Sequence, residues 1–220
     1  MPSEVIKVAI ADELSLFRKL LYEYLSAQEN IAVMIEATDP KELADKLQDT
    51  VVDVLLMGLY TSAFNKEDTL RTIRLKYPKV KVLIISTGRD LQLISDLLDY
   101  GIHGYIAITE DPDELLKGIT AAAGNRIYRN NLFTEALYWI RQNNLQPDMT
   151  KNTTILTERE KKILQLLWEE KSNKEIADMF FLSVRSIEKI RQEMKDKLGI
   201  KSTVGLLKYG IFKKIIEIET

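Results

Sequence analysis

The feature that most constrains this chain is a regular alternation of short apolar runs and amphipathic segments over its first 125 residues. The runs are rich in Val, Ile and Leu, as is typical of strands covered on both faces. They are Val5–Ile10, Ala32–Ile35, Val51–Met57, Val80–Ile85 and Tyr105–Ile108. The helical patterns are Leu16–Leu25, Pro40–Leu47, Lys66–Tyr77, Leu91–Tyr100 and Asp113–Ala123. This order predicts an α/β doubly wound five-stranded parallel sheet with right-handed crossovers and helices on both faces.

Composition narrows the classes of protein that the chain can belong to. A length of 220 residues suits two domains. The absence of cysteine excludes disulfides, and a single histidine makes a zinc site implausible. No apolar run approaches the roughly 18 residues of a membrane span, and the N-terminus lacks a signal-peptide profile. We therefore expect a soluble, cytoplasmic protein without membrane contact or cofactor.

Charge is divided unevenly along the chain. Residues 1–150 carry 16 Lys and Arg against 22 Asp and Glu, whereas residues 151–220 carry 15 against 11. An acidic front and a basic back indicate a control domain joined to a module that binds polyanions. We predict a control domain at 1–125, a helix and flexible linker at 126–153, and a polyanion-binding domain at 154–220.

The sites of doubly wound sheets lie at the carboxyl ends of their strands. The segments KVAIADELSLFRKLL, VVDVLLMGLY, KVLIISTG and GIHGYIAIT place Asp12, Glu13, Gly58, Ser86 and Ile108 at those ends. These segments resemble the strands of the flavodoxin-like receiver domain of two-component response regulators. In that family an acidic pair holds Mg²⁺ beside an aspartate that accepts a phosphoryl group, a hydroxyl contacts the group, and a lysine neutralises it.

The resemblance assigns the acidic pair to Asp12 and Glu13, the hydroxyl to Ser86 and the switch aromatic to Tyr105. The acceptor position holds Gly58, which has no nucleophile, and the lysine position holds Ile108. Two essential groups are missing, so we interpret the domain as a degenerate receiver. With the third carboxylate gone, the acidic pair forms a weak hydrated metal site at best.

Two alternatives bear on this site. In the first alternative, Asp12 caps the first helix, Glu13 is solvated, and no metal ion binds. The second alternative, in which another side chain near the mouth accepts the phosphoryl group, is disfavoured because kinase–receiver exchange uses a carboxylate. The side chains near the mouth are Thr61, Ser62, Ser86 and Thr87.

The segment that follows Gly124 is predicted to form a helix and then a flexible linker. Leu132–Ile140 has helical spacing, and the polar stretch Arg141–Thr154 is typical of a flexible linker.

The C-terminal segment contains helices joined by short linkers. Thr157 with Glu160 and Ser172 with Glu175 form two capping boxes. Ser183 caps a third helix that ends at Gly199. The predicted buried positions of these helices are Ile163, Leu166 and Leu167, then Ile176, Ala177 and Phe180, then Ile187, Ile190, Met194 and Leu198. A fourth helix carries Val204, Leu207 and Ile211.

The other face of the third helix is suited to a DNA major groove, which admits one α-helix. Lys189 and Gln192 can reach base edges, and Glu188 can accept from a cytosine amino group. Cations and hydroxyls there suit phosphates. The full predicted contact set is Ser183, Arg185, Ser186, Glu188, Lys189, Arg191, Gln192 and Lys195.

The blocks LTEREKKILQLL, KSNKEIADMFFLSVRSIEKI and KDKLGIKSTVGLL resemble the LuxR-type (NarL/FixJ) helix-turn-helix domain. One departure is Ile190, where many members have His. The resemblance implies that the fourth helix, about Thr203–Phe212, forms a two-fold dimer contact on double-stranded DNA.

We expect a sequence-specific transcription regulator that is not an enzyme, binds DNA as a homodimer and is not controlled by aspartyl phosphorylation. An alternative is that the receiver-like domain docks a partner protein or small ligand and thereby gates the DNA-binding domain.

Overall fold

The computed structural model of the chain describes residues 5–59, 66–142 and 156–216. Five parallel strands form one sheet in the order β2-β1-β3-β4-β5, which confirms the predicted architecture. The strands are β1 (Ile6–Ala11), β2 (Ile31–Ala37), β3 (Val54–Gly58), β4 (Lys81–Ser86) and β5 (Gly104–Ala107). The strand order reverses between β1 and β3, so the crevice at their carboxyl ends is where such folds bind ligands.

Five helices follow these strands along the chain. They are α1 (Ser15–Ser26), α2 (Pro40–Asp49), α3 (Lys66–Lys76), α4 (Leu91–Asp99) and α5 (Pro112–Ala123). The central strands β3 and β4 are buried because their middle residues are apolar, with Leu55, Leu56, Leu83 and Ile84 fully inside. Their continuous apolar sequence is what a strand covered on both faces requires.

The third strand starts later than the sequence pattern predicts. Val51 is exposed, and the strand begins at Val54. Asp53 precedes it, and its carboxylate accepts a hydrogen bond from the backbone N–H of Lys7 at 2.8 Å. Asp53 therefore lies at the amino end of β3, remote from the carboxyl-end site.

A second group of helices occupies the C-terminal half. They are α6 (Asn131–Gln142), α7 (Glu158–Trp168), α8 (Asn173–Phe180), α9 (Val184–Leu198) and α10 (Thr203–Phe212). The predicted helix at Leu132–Ile140 is confirmed, but α6 extends to Gln142 into the predicted flexible linker. The rest of that linker, and the predicted hydroxyls Thr61 and Ser62, lie outside the described residues.

Packing divides the chain into two compact units. One comprises Met1–Arg89 with Ile102–Ala123, and the other comprises Asp90–Gly101 with Gly124–Thr220. Helix α4 therefore groups with the C-terminal helices, where it contacts α6 and α10. This grouping reflects which helices pack together, and the sequence pattern of a helix does not reveal which helices it will contact.

Both predicted capping boxes are formed. The Thr157 and Ser172 side chains accept hydrogen bonds from the backbone N–H groups of Glu160 and Glu175, whose carboxylates accept in return. The hydrogen bonds from Ser172 lower the pKa of Glu175, although burial opposes them. These caps satisfy helix N–H groups that have no partner within the helix.

The core of the C-terminal helices differs in detail from the predicted stripes. Ile163, Leu166, Ile176 and Ala177 are buried as expected, and so are the three predicted positions of α10. Leu167 and Phe180 are only half-buried, and Leu164 is buried instead of Leu167. Leu164 lies against α10, where a side chain at Gly210 would come within 2.8 Å of its Cδ2 atom.

Candidate nucleic-acid interface and receiver-like site

Helix α9 is fixed at both ends by local sequence. The Ser183 hydroxyl accepts a hydrogen bond from the backbone N–H of Ser186 at 3.1 Å. At the other end Gly199 has φ +68°, a left-handed conformation that glycine adopts without steric strain. Phe181, with φ 55°, ends α8, so that only Leu182 and Ser183 lie between it and α9. The turn between the two helices is therefore short, as helix-turn-helix geometry requires.

The outer face of α9 carries polar and charged side chains. Arg185, Glu188, Lys189 and Gln192 are exposed, together with the capping residue Ser183. Ser186 and Lys195 are half-buried at the edges of this face. The structure therefore brings seven of the eight predicted contact residues onto one accessible surface.

Several of these side chains already interact with neighbours on the same helix. The Gln192 side-chain amide donates to Asp196 at 2.7 Å, and the Lys189 ammonium lies 3.7 Å from the Glu193 carboxylate. Both contacts are solvent-exposed pairs spaced four residues apart. Such pairs add only about 0.3 to 0.5 kcal/mol to the stability of a helix. These two contacts therefore hold the side chains of this face only weakly.

Arg191 is the exception, and its predicted place on the outer face is wrong. Its residue exposure is 7%, and it takes the buried position of α9 between Ile187 and Met194. Ile190, predicted to be buried, is half-buried. Residues four apart share a helix face, so Ile187 and Arg191 align where Ile187 and Ile190 were expected to align. Hydrophobicity alone favoured the isoleucine.

A buried arginine needs hydrogen-bond partners, and the fold supplies two. The Arg191 guanidinium donates to the Asn173 side-chain oxygen at the start of α8 and to the Thr203 hydroxyl of α10 at 2.7 Å. Burial lowers the pKa of Arg191 to about 10, and the nearby charge of Glu188 opposes that shift. Arg191 thus stays charged at neutral pH and joins three helices. No sequence signal singles out Asn173, because it lies between the two members of a capping box, where a polar first-turn residue is ordinary.

The receiver-like site lies at the carboxyl ends of the strands. Asp12 follows β1, Gly58 ends β3, Ser86 ends β4, and Ile108 follows β5. Gly58 pairs with Ile85 of β4 in the sheet register, and both are buried. The side chain of Ile108 is partly exposed. The predicted residues therefore gather at the carboxyl end of the sheet, including the glycine and isoleucine at the predicted acceptor and lysine positions.

Asp12 is almost wholly inside, with 1% of its residue surface exposed. One carboxylate oxygen accepts the Leu14 backbone N–H at 2.7 Å, while the other, Oδ2, is buried without a hydrogen-bond partner. Burial raises the pKa of Asp12 to about 6, against the lowering effects of the Leu14 hydrogen bond and Arg18. Asp12 does not cap α1, whose N-cap is Leu14 without a side-chain hydrogen bond. The alternative that made Asp12 a helix cap is wrong.

Ser86 and Tyr105 are held by backbone carbonyl groups. The Ser86 hydroxyl donates to Leu59 O at 2.7 Å, and the fully buried Tyr105 donates to Gly88 O at 2.7 Å. The Gly88 N–H in turn lies 3.4 Å from the Ser86 hydroxyl. Both hydroxyls are thus engaged with the loops that follow β3 and β4.

Within residues 5–59, 66–142 and 156–216, no group of three or more His, Cys, Asp or Glu side chains could hold a metal ion. Of the helices that the structure describes, none is both long and apolar enough to cross a membrane.

Comparison with known proteins now defines the family. The model for "Bacterial regulatory proteins, luxR family" matches residues 154–209, and the model for "Response regulator receiver domain" matches residues 8–120. The chain is 31% identical over 218 residues to the oxygen regulatory protein NreC of Staphylococcus aureus, covering 96% of this chain and 100% of NreC. The chain belongs to the LuxR-type response regulators.

Solved structures share the fold of this response regulator. A structure of two RcsB dimers bound to two parallel DNAs covers 95% of this chain and 99% of its own, with a TM-score of 0.57 and 20% identity. A structure of RcsB from Salmonella typhimurium covers 94% and 98%, with a TM-score of 0.58 and 20% identity. The family is one of DNA-binding transcription regulators, and its members combine a receiver domain with a helix-turn-helix domain.

Proposed function

We propose that this response regulator binds double-stranded DNA sequence-specifically as a homodimer, with α9 in the major groove, and regulates transcription without aspartyl phosphorylation. The observation that carries the proposal is the exposed outer face of α9, capped by Ser183. An α-helix that presents donors and acceptors on its first turns fits the width of the major groove. In functional terms, residues 1–125 act as the receiver-like domain, 126–153 as the connection and 154–220 as the DNA-binding domain.

The roles of the side chains on α9 follow from chemistry and position. Lys189 and Gln192 are both exposed and lie within one helical turn of each other, and they contact base edges. Arg185, Lys195 and the hydroxyls of Ser183 and Ser186 contact phosphates, which fix the register of the protein on DNA. Arg191 holds the helices together from inside and contacts neither.

Dimerisation is assigned to α10. RcsB is described as binding DNA as dimers, which supports the same arrangement in a chain of this fold. A two-fold protein reads two half-sites spaced by about one helical turn of DNA.

Phosphorylation independence rests on the two substitutions in the receiver-like site. Gly58 offers no carboxylate to form an acyl phosphate, and Ile108 offers no cation to neutralise one. Asp12 and Glu13 remain, but Asp12 binds a metal ion only weakly. Its burial favours the protonated carboxyl group, and a divalent cation needs the ionised form.

The test of DNA readout is selection of bound duplexes from a random pool by the full-length protein, followed by affinity measurements on the selected sequence. Lys189→Ala with Gln192→Ala should reduce preference for that sequence over random DNA by at least about tenfold. Lys162→Ala, which removes an exposed lysine from α7, is the matched control and should leave the preference unchanged. Failure to enrich any sequence would refute the proposed readout.

A second candidate function is favoured by the packing of α4. Lys208 of α10 is buried and forms an ion pair with Asp99 of α4, and α6 also contacts both helices. If α10 mediates dimerisation, α4 and α6 cover part of the surface that a second copy would need. The receiver-like domain would then gate DNA binding, and a partner protein or small ligand that binds α4 would release α10.

Gating can be tested through Asp99, which is exposed and can be changed without leaving a cavity. Asp99→Ala in the full-length protein should raise the dimer fraction, measured by light scattering, and strengthen DNA binding by several-fold. Asp96→Ala, an exposed aspartate of the same helix, is the control and should change neither. Equal behaviour of the two variants would exclude gating through this contact.

A further inference from the structure

The buried network around Arg191 extends to the outer face of α9. Asn173 lies at the start of α8, and its side-chain amide nitrogen is 3.5 Å from the Glu188 carboxylate oxygen Oε1. On its other side the Asn173 amide oxygen accepts from Arg191, which also donates to Thr203. Glu188 is exposed, whereas Asn173 and Arg191 are buried. A surface carboxylate is thus connected to a buried hydrogen-bond network.

The orientation of the Asn173 amide is determined by its two neighbours. A guanidinium group can only donate hydrogen bonds, so the amide oxygen must point to Arg191. An ionised carboxylate can only accept, so the amide nitrogen must point to Glu188. The opposite orientation would set two donors against each other on one side and two acceptors on the other. The arrangement therefore has one orientation that satisfies all three groups.

Two interactions act on Glu188 from the inner side. The Asn173 amide nitrogen lies beside its carboxylate, and the positive charge of the buried Arg191 is close enough to be affected by Glu188. Arg191 is buried and held by Asn173 and Thr203, so its positive charge stays on the inner side of Glu188. The outer side of Glu188 remains accessible from the surface that carries Lys189 and Gln192.

We infer that Glu188 is a specificity-determining residue that accepts a hydrogen bond from the N4 amino group of a cytosine in the major groove, and that Asn173 positions it. This inference rests on the proposed placement of α9 in that groove. An ionised carboxylate can only accept, so it selects for a base that presents a donor. It also lies among negatively charged phosphates, so it weakens binding wherever no donor faces it.

The pattern of groups in the major groove distinguishes cytosine from the other three bases. Guanine presents two acceptors, and thymine presents an acceptor and a methyl group, so neither can donate to Glu188. Adenine has an N6 donor, but its N7 acceptor lies beside that donor and repels a carboxylate. Cytosine presents only the N4 donor on its own edge. We therefore expect each half-site to contain a C·G pair at one fixed position.

The experiment uses the full-length protein and the duplex selected in the test of readout. Each base is substituted in turn at every half-site position, and affinities are measured at one salt concentration. The wild-type protein should prefer cytosine at one position by at least about fivefold. Glu188→Ala should remove that preference there and leave the preferences at other positions intact. Glu188→Gln should shift the preference at that position from cytosine toward adenine, since glutamine pairs with the adenine edge.

Asn173 is tested with Asn173→Asp, which keeps an oxygen facing Arg191 and replaces the amide nitrogen facing Glu188 with an acceptor. Discrimination should fall at the same position as in Glu188→Ala and nowhere else. Loss of helical folding would instead weaken binding at all positions equally and would refute a positioning role. Asp178→Ala, which removes an exposed carboxylate from α8, is the charge control and should preserve the cytosine preference.

The outcomes separate this inference from the proposed function. If a sequence is enriched but its base preferences are the same in Glu188→Ala, the specificity role is wrong while DNA readout stands, and Glu188 serves only to balance the charge of Arg191. If no sequence is enriched, DNA readout and the specificity role both fail.

Discussion

The outer face of α9 and the receiver-like site have opposite relations to their family's chemistry. On α9, the side chains suited to DNA are present and accessible, and the one arginine that is buried holds the helices together. At the sheet edge, the acidic pair, the hydroxyl and the aromatic residue keep their places, but the acceptor and lysine positions hold Gly58 and Ile108. The difference teaches that two regions of one chain can match the residue pattern of their family to different degrees. The predictions below test that contrast, from the largest expected effect to the smallest.

The contrast would disappear if the missing groups could be restored. Acetyl phosphate with Mg²⁺ should give an acid-labile adduct on the variant that combines Gly58→Asp with Ile108→Lys, and none on the unmodified protein. The new aspartate supplies the nucleophile, and Asp12 with Glu13 supplies ligands for the metal ion. Intact mass measured before and after acid treatment reports the adduct. Ile108→Lys alone is the control, because it lacks the acceptor, and an adduct on the unmodified protein would contradict phosphorylation independence.

Arg191 and Arg185 separate stability from DNA affinity within a single helix. Arg191→Ala should lower the free energy of unfolding by about 3 kcal/mol, because it leaves Asn173 and Thr203 without their partner and opens a cavity. Arg185→Ala should change that free energy by less than about 0.5 kcal/mol, since its side chain is exposed. Urea denaturation followed by circular dichroism gives both values.

In DNA binding the two arginine variants should differ in the opposite sense. At a temperature where both are folded, Arg185→Ala should weaken binding to all sequences and lower the slope of its salt dependence by about 1. A stable Arg191→Ala protein would show that the buried network does not hold the three helices together.

Asp12 allows the receiver-like site to be tested through pH. The pKa of its carboxyl is raised to about 6 in the fold, so ionisation opposes folding. Asp12→Asn should therefore raise the free energy of unfolding by about 2 kcal/mol at pH 7 and above. The advantage should shrink as pH falls through 6 and vanish below about 4, where Asp12 is protonated in both folded and unfolded chains.

Thermal or urea unfolding across that pH range measures the effect. Asp53→Asn serves as the control, because Asp53 accepts a backbone hydrogen bond at the exposed end of the sheet. A pH profile for Asp12→Asn parallel to that of the unmodified protein would show that the buried carboxylate is better satisfied than its unpartnered Oδ2 suggests.

Ser183 should give the smallest effect, and it separates capping from phosphate contact. Ser183→Ala should lower the free energy of unfolding by about 1 kcal/mol, and Ser183→Gly by only a few tenths, about 0.3 kcal/mol. If the hydroxyl also contacts a phosphate, both variants should lose DNA affinity to the same extent. Fluorescence anisotropy with the selected duplex provides that comparison, and an affinity loss that followed stability would assign Ser183 to capping alone.

Much of the fold was predictable because its signals are local. The apolar runs of the strands and the serine and threonine caps of the helices depend only on residues a few positions apart. Such signals can therefore be recognised in the sequence alone. The strand ends then placed Asp12, Gly58 and Ser86 at one edge of the sheet. The start of β3 was less well predicted. Asp53, just before the strand, accepts a hydrogen bond from Lys7, which is 46 positions away and so outside any local pattern.

The candidate interface was predicted less fully, for a reason visible at one helical turn. Both Ile190 and Arg191 are compatible with helical spacing, and hydrophobicity favoured the isoleucine as the buried residue. The fold buries the arginine instead, because Asn173 and Thr203 stand where its guanidinium can bond to both. These partners lie 18 and 12 residues away in sequence, so the spacing of apolar residues within one helix cannot predict them.

The sequence by itself determined the parallel sheet and the capped helices, and it predicted the receiver positions at which Gly58 and Ile108 stand, because each depends on residue type and local spacing. Only the tertiary structure decided that Arg191 lies inside, that Asn173 connects it to Glu188, and that Asp12 is buried with an unpartnered oxygen. Those facts depend on contacts between separate helices and strands, and on the exclusion of water that follows when they pack.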